Sequence, residues 1–439
     1  MKARFKSMRV AALAAVVFAS CSITQKITET PDAPVKVELK TVDGKYNFYV
    51  NGRLFEVKGA GGTYNLAMLK SCGGNSFRTW GANNGRELLE TARKNGFMVA
   101  MGLGIRQELR NFDYNDTAAV KAQFERIQKD VDSLKSHPNL LCWVAGNELN
   151  LAPRGKILNP KVYDALKEVV DYIHKTDPNH PVTTAFAGVN KNHIRTALER
   201  CPDLDFISLQ VYAGLLNLEE LAKKAEITKP YMVTEYGPRG HWEQPSTDWG
   251  REIEETSTEK ANGLAERIRK GFMENKSGLC LGGYAFVWGQ KQERTPTWYG
   301  LFLKTGESTA MVDELTRYWS GKYPENRAPR IDGFELDGKK AVDNIYLECG
   351  KNYTAKVNAS DPDHDALTYQ WEIRTEVKVR SQGGAREIEP EKVEMKILSS
   401  NNGELTFVSP DSSGEYRIFS TVVDGKNKAG TANIPFCVK

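Results

Sequence analysis

Read for hydrophobic and polar positions, the chain changes pattern twice. After a short N-terminal stretch come two turn signals, Asp43-Gly44 and Asn51-Gly52, flanked by the alternating runs Val37-Glu38-Leu39, Tyr46 to Val50 and Leu54 to Val57. These predict short antiparallel strands. From residue 56 to about 319 short apolar runs alternate with stretches of helical spacing. The eight runs are Glu56–Gly59, Ser76–Trp80, Met98–Met101, Leu140–Val144, Val182–Ala185, Phe206–Gln210, Tyr231–Thr234 and Gly283–Trp288. Between them, Gly85 to Asn95 ends at Gly96 as a helix C-terminus does, and Ala118 to Ser136 keeps apolar residues on one helical face. Strand–helix alternation repeated eight times predicts parallel strands with crossover helices, and eight is the number that closes a (β/α)8 TIM barrel. An open doubly wound sheet is the competing architecture, but no GxGxxG or GxxxxGKS is present to support nucleotide binding.

The second change falls at Tyr323-Pro324-Glu325-Asn326-Arg327-Ala328-Pro329. Beyond it, short alternating runs such as Asn352–Val357, Leu367–Ile373, Gly414–Phe419 and Thr421–Val423 predict a small all-β sandwich of immunoglobulin-like type. Asp361, Asp363 and Asp365 read as an Asx-rich turn, with calcium binding the alternative. Val377 to Lys396 reads as an extended hairpin or loop, and the default role of the module is a spacer.

Four basic residues, Lys2, Arg4, Lys6 and Arg9, precede the apolar stretch Val10–Ala19 and Ser20-Cys21. This is a signal-peptide pattern, too short to span a membrane. Phe18-Ala19-Ser20-Cys21 resembles the lipobox of bacterial lipoproteins, which implies cleavage after residue 20, a lipid on Cys21 and location in the cell envelope. Residues 21–34 then read as a tether, 35–322 as the barrel with its N-terminal hairpin, and 323–439 as the sandwich. Of the 60 Lys and Arg, four lie in residues 1–20, which hold no Asp or Glu, so in the mature chain 56 face 56 acidic residues. A formally neutral chain gives no reason to expect a nucleic-acid partner. Seven cysteines with no CxxC or Cys/His spacing point away from a zinc site. Cys349 and Cys437 are the pair confined to the C-terminal region, with free thiols the alternative.

Candidate chemistry sits where apolar runs stop. Leu140 to Val144 runs into Gly146-Asn147-Glu148, and Tyr231 to Thr234 into Glu235-Tyr236-Gly237. Polar groups at the C-terminal ends of barrel strands occupy the face on which such barrels carry their sites. Two carboxylates there suit acetal cleavage, which needs a proton for the leaving oxygen and a negative charge beneath the developing oxocarbenium ion.

With Asn147-Glu148 on the fourth strand and Glu235 on the seventh, residues 45 to 320 resemble the clan A glycoside hydrolases, most closely the family 2 barrel. The resemblance implies Glu148 as acid/base, Glu235 as nucleophile, and retaining cleavage of a β-linked glycan without metal or organic cofactor. It also implies that Arg78 keeps the nucleophile ionised, that Asn147 holds the sugar 2-hydroxyl, and that Trp288 forms a platform under the sugar. Tyr212 is placed to donate to Glu235, while Trp80, Tyr236, His241 and Trp242 add aromatic surface on the same face, His241 and Trp242 toward the leaving group. Each also has an ordinary packing or ion-pair reading. The chain departs from family 2 in lacking the β-domains that usually precede the barrel. A transglycosylase of the same mechanism and a non-catalytic glycan-binding lipoprotein are the rival readings.

Overall fold

The computed structural model describes residues 34–439; the expected signal sequence, Cys21 and the expected tether through residue 33 lie outside the described residues. Three strands come first, β1 (Val37–Val42), β2 (Lys45–Val50) and β3 (Arg53–Phe55), paired antiparallel in that order. Both connecting turns place two consecutive residues at positive φ, Asp43 and Gly44, then Asn51 and Gly52. That is the backbone of the two-residue hairpin turn, and it explains the Asp-Gly and Asn-Gly signals. Val37 N–H donates to Asn179 and Tyr46 N–H to Gly278, while Phe48 packs edge-on against Phe206, ring centroids 5.5 Å apart. Each of these partners precedes a barrel strand, so the small sheet covers the N-terminal end of the barrel.

Eight parallel strands follow: β4 (Val57–Gly61), β5 (Ser76–Arg78), β6 (Met98–Leu103), β7 (Leu140–Asn147), β8 (Val182–Ala187), β9 (Ile207–Gln210), β10 (Tyr231–Tyr236) and β11 (Cys280–Ala285). They close on themselves in chain order, with β11 pairing β4. Successive side chains along a strand face opposite ways. On β6, Val99, Met101 and Leu103 join the layer between strands and helices, and Met98 and Ala100 face inward with Cys142, Val144 and Met232. Helix boundaries follow local signals. Gly96 at φ +70 caps Gly85–Asn95, its N–H reaching Ala92 and Arg93, and Asp116 accepts from Ala119 N–H at the start of Thr117–Leu134. All eight expected strands match within three residues at each end, and the eighth is displaced as a whole, to 280–285 from 283–288.

The C-terminal module consists of two sheets around one core. One has the order Arg330–Leu336, Asn352–Ser360, Glu404–Val408, Lys396–Asn401; the other runs Tyr346–Leu347, Ala429–Val438, Gly414–Val423, Thr368–Thr375, Lys392–Val393. Leu336, Val357, Leu405, Phe407, Ile418 and Phe436 are among the side chains that fill the space between them. The described residues form one compact unit, and the module is seated on the barrel through polar groups that are mostly buried. Ser257 and Thr258, at the start of the helix Ser257–Ile268, accept from Thr431 and Ile331 N–H with their hydroxyls. Asn433 donates to Glu254 at 2.6 Å, and Lys428 pairs with Asp313. Asp361 accepts from Asp363 and Asp365 N–H, an Asx turn, and Asp363 takes the N–H of Arg327. The third carboxylate beside Asp361 and Asp365 is therefore Asp424, and Lys426 pairs with Asp365 at 2.6 Å. Among the described residues all six cysteines are free thiols.

Candidate active site

At the C-terminal ends of the barrel strands a cleft of about 1170 Å³ opens, and Glu148 and Glu235 both line it. Strand alternation alone would not bring them there. On β10, Met232 faces the interior and Val233 the helices, so strict alternation would turn Glu235 outward. The pairing register shifts between Val233 and Glu235, and this bulge reverses the phase, aiming Glu235 into the cleft and Tyr236 at the helices. On β7 a second shift lies between Val144 and Asn147. Gly146, at φ +83, supplies it, and a Cβ there would lie 2.6 Å from Leu149 Cδ1. Asn147 then points into the barrel mouth and Glu148 follows at φ +53, a backbone region that a Glu rarely occupies. Neighbouring strands hold this turn. Glu148 N–H donates to Ala185, Gln107 Nε2 to the Asn147 carbonyl at 2.7 Å, and Asn150 brackets Ala187 with two hydrogen bonds.

The two carboxyls have opposite surroundings. Glu235 is encircled by donors: Trp80 Nε1 at 2.7 Å, Gln210 Nε2 at 2.9 Å and Arg78 Nη1 at 3.4 Å on Oε1, with the Tyr212 hydroxyl at 3.0 Å on Oε2. Arg78 is fully buried; it also donates to the Thr234 carbonyl at 2.8 Å and to Asn147 Oδ1 at 2.9 Å, tying β5 to both bulges. A guanidinium and three neutral donors thus fix the orientation of the Glu235 side chain. Burial, and then the charge of Glu235, holds the Tyr212 phenol well above its ordinary range, so it keeps the proton it donates. Burial also pushes the Glu148 carboxyl up to about 8, with Glu235 as the next cause. At neutral pH Glu148 is thus mostly protonated.

Trp80, Asn147, Tyr212, His241 and Trp242 all line the cleft with the two carboxyls. Trp242 is 61% exposed and meets Tyr212 and His241 edge-on, and His241 Nε2 lies 3.4 Å from Glu293. Two expected residues are elsewhere. Tyr236 is fully buried against Phe272, on the helix side of β10, because the bulge that turns Glu235 inward turns it outward. Trp288 is 1% exposed and packs against Phe302 and Trp319. Since β11 ends at Ala285, counting strand positions to 288 runs past the strand, and Phe286 and Val287 line the cleft instead.

Several residues escaped sequence reading. Gln210, which donates to both Asn147 Oδ1 and Glu235, ends an apolar strand just as the two glutamates do, so the same signal could have found it. Gln107, Lys291 and Glu293 lie on loops with no such signal. Least expected, Ser381 to Gly384 of the C-terminal module also line the cleft, so the module is more than a spacer.

Residues 47–243 match the family model described as glycosyl hydrolases family 2, TIM barrel domain. Three solved structures share the fold. A calcium-binding mutant of Bacteroides uniformis β-glucuronidase 2 is 15% identical, with a TM-score of 0.51 over 92% of this chain and 48% of its own. The Bifidobacterium dentium β-glucuronidase complexed with coumarin-3-O-glucuronide is 20% identical, TM-score 0.51, covering 66% and 50% respectively. A Ruminococcus gnavus β-glucuronidase is 18% identical, TM-score 0.50, covering 66% and 53%. This chain therefore spans about half the length of each. An eight-stranded parallel barrel and a family match that reaches past both carboxylate-bearing strand ends make residues 47–243 similar to the TIM barrel domain of the family 2 glycosyl hydrolases.

Proposed function

We propose that the protein is a retaining glycosidase that hydrolyses a β-linked glycan by double displacement. The observation that carries this reading is the asymmetry of the two carboxyls, Glu148 held protonated chiefly by burial and Glu235 hydrogen-bonded by four donors in the same cleft. In the first step Glu235 attacks the anomeric carbon while Glu148 gives its proton to the departing glycosidic oxygen. Oε2, with one donor against three on Oε1, is the oxygen freer to form the ester bond. In the second step Glu148, now ionised, takes a proton from water. The hydroxide equivalent displaces Glu235 from the anomeric carbon, and inversion twice gives net retention. Asn147 is oriented by Arg78 and Gln210 on its Oδ1, which leaves its amide N–H groups for a sugar hydroxyl. We further propose that Cys21 carries a lipid that holds the enzyme in the cell envelope.

The test uses residues 22–439 on β-glucosides, β-galactosides, β-mannosides and β-glucuronides, with the anomer first released read by NMR. Cleavage with a β product, lost in Glu235→Gln, is the expected result. An α product would remove the retaining assignment, and longer oligosaccharides in place of free sugar would identify a transglycosylase. Binding without turnover, equal in the parent and in Glu235→Gln, would mark a recognition surface.

A further inference from the structure

The loop between the module strands Thr368–Thr375 and Lys392–Val393 leaves the β-module and reaches the barrel cleft. Its tip is Gln382-Gly383-Gly384, with both glycines at positive φ. A Cβ on Gly383 would lie 2.7 Å from Leu109 Cδ2, 3.3 Å from Leu151 Cδ1 and 3.8 Å from Glu148 Oε2. Bare backbone is thus packed onto the rim beside the carboxyl that serves the leaving group.

The loop is held at three levels. At its tip Arg110 Nη2 donates to the Gly383 carbonyl at 2.7 Å. In the middle Glu387, buried, pairs with the Arg294 guanidinium, accepts the Arg294 N–H and takes the N–H of Ser381 at 2.8 Å. At its base Arg251 donates to the Val377 carbonyl at 3.0 Å, and Arg380 faces Glu252 at 3.4 Å. Breaking a buried charged hydrogen bond of this kind from one side leaves the other charge buried and unpaired, which is strongly unfavourable. These bonds favour a single loop position over a swinging flap.

We infer that this loop is a specificity element that walls the leaving-group side of the cleft and confines the enzyme to short leaving groups. The inference rests on the proposed role of Glu148, because an acid/base stands beside the glycosidic oxygen and whatever flanks it meets the departing part of the substrate. Two glycines offer that part a steric limit rather than side-chain contacts, and the Gly383 carbonyl is occupied by Arg110.

The experiment compares the parent 22–439 chain with a variant in which Ser381–Arg386 is replaced by Gly-Gly and with Arg110→Ala, which leaves the Arg294–Glu387 pair intact. Binding of β-linked disaccharide and tetrasaccharide is read by tryptophan fluorescence, and turnover of the same sugars and of an aryl glycoside by product release. In the loop-shortened variant the tetrasaccharide-to-disaccharide affinity ratio should rise at least tenfold, with a smaller rise in Arg110→Ala. Turnover should follow affinity, with the aryl glycoside least affected. An unchanged ratio in both variants, each with the parent's melting behaviour, overturns the inference. If the loop-shortened variant does not fold, an unchanged ratio in Arg110→Ala overturns it alone. Loop-dependent binding without turnover in any form would leave the wall in place and remove the glycosidase reading. No glycan binding by the parent would remove both.

Discussion

At the scale of single residues, the site depends on Glu148 being hard to ionise beside a Glu235 that four donors hold in place. If Glu148 is the proton donor, kcat/KM falls as pH rises through about 8. Glu235→Gln removes the second cause of that shift, so the carboxyl stretch of Glu148, followed by infrared titration, should move to lower pH. The same shift has a stability sign. The folded value of Glu148 lies above its ordinary 4.5, so the stability it contributes is fully present below 4.5 and is lost as pH rises through about 8. Glu148→Gln should therefore melt above the parent at pH 8, by an amount on the order of 1–4 kcal/mol, and lose that advantage at pH 4. Activity should move the opposite way. Glu148→Gln is expected to lose about 10²–10⁴-fold in kcat on a saccharide leaving group, and Glu235→Gln at least about 10⁴-fold on every substrate.

At the scale of elements, what matters is where two strands break their own alternation. Both catalytic candidates follow register shifts, and Arg78 on β5 ties the two together by donating to the Thr234 carbonyl and to Asn147. Gly146→Ala adds a Cβ 2.6 Å from Leu149 at φ +83. It should cost about 1–3 kcal/mol in stability, seen as a lower Tm. Because Glu148 is two residues downstream, kcat should fall beyond what the lost stability accounts for. Eight strands and their helices were legible as alternating apolar runs and helical spacing. The bulges were not, since a bulge is set by the pairing of neighbouring strands and leaves no distinct pattern in either one. That is why Tyr236, next to Glu235, was expected in the cleft and lies behind it.

At the scale of the whole molecule, barrel and module are coupled through charges that neither could bury alone. Glu254 is buried and pairs with Lys260 but also takes Asn433 from the module, and Asp313 pairs with Lys428 and accepts the N–H of Ala328. Cutting the chain after residue 322 would strip these partners, and with them the N–H groups that Ser257 and Thr258 accept from. The truncated barrel should express insolubly or melt well below the parent, measured side by side by calorimetry. A barrel that keeps the parent's Tm would show the interface to be dispensable.

The sequence by itself determined the architecture and picked out the two carboxylates that share the cleft. Repeated strand–helix periodicity specifies a closed parallel barrel, and a carboxylate that ends a buried apolar run can only lie on the barrel's open face. Trp80, Asn147, Tyr212, His241 and Trp242 were readable in the same way, as polar or aromatic residues just past strand ends. Only the tertiary structure decided which way each side chain turns, where the eighth strand stops, and that Trp288 fills the core. It alone also placed Ser381 to Gly384, distant in the chain, beside Glu148. The physical reason is the range of the interactions. Periodicity and turn chemistry act within a few residues and are written locally. Register shifts, buried ion pairs and a loop donated by another module depend on partners far away in sequence.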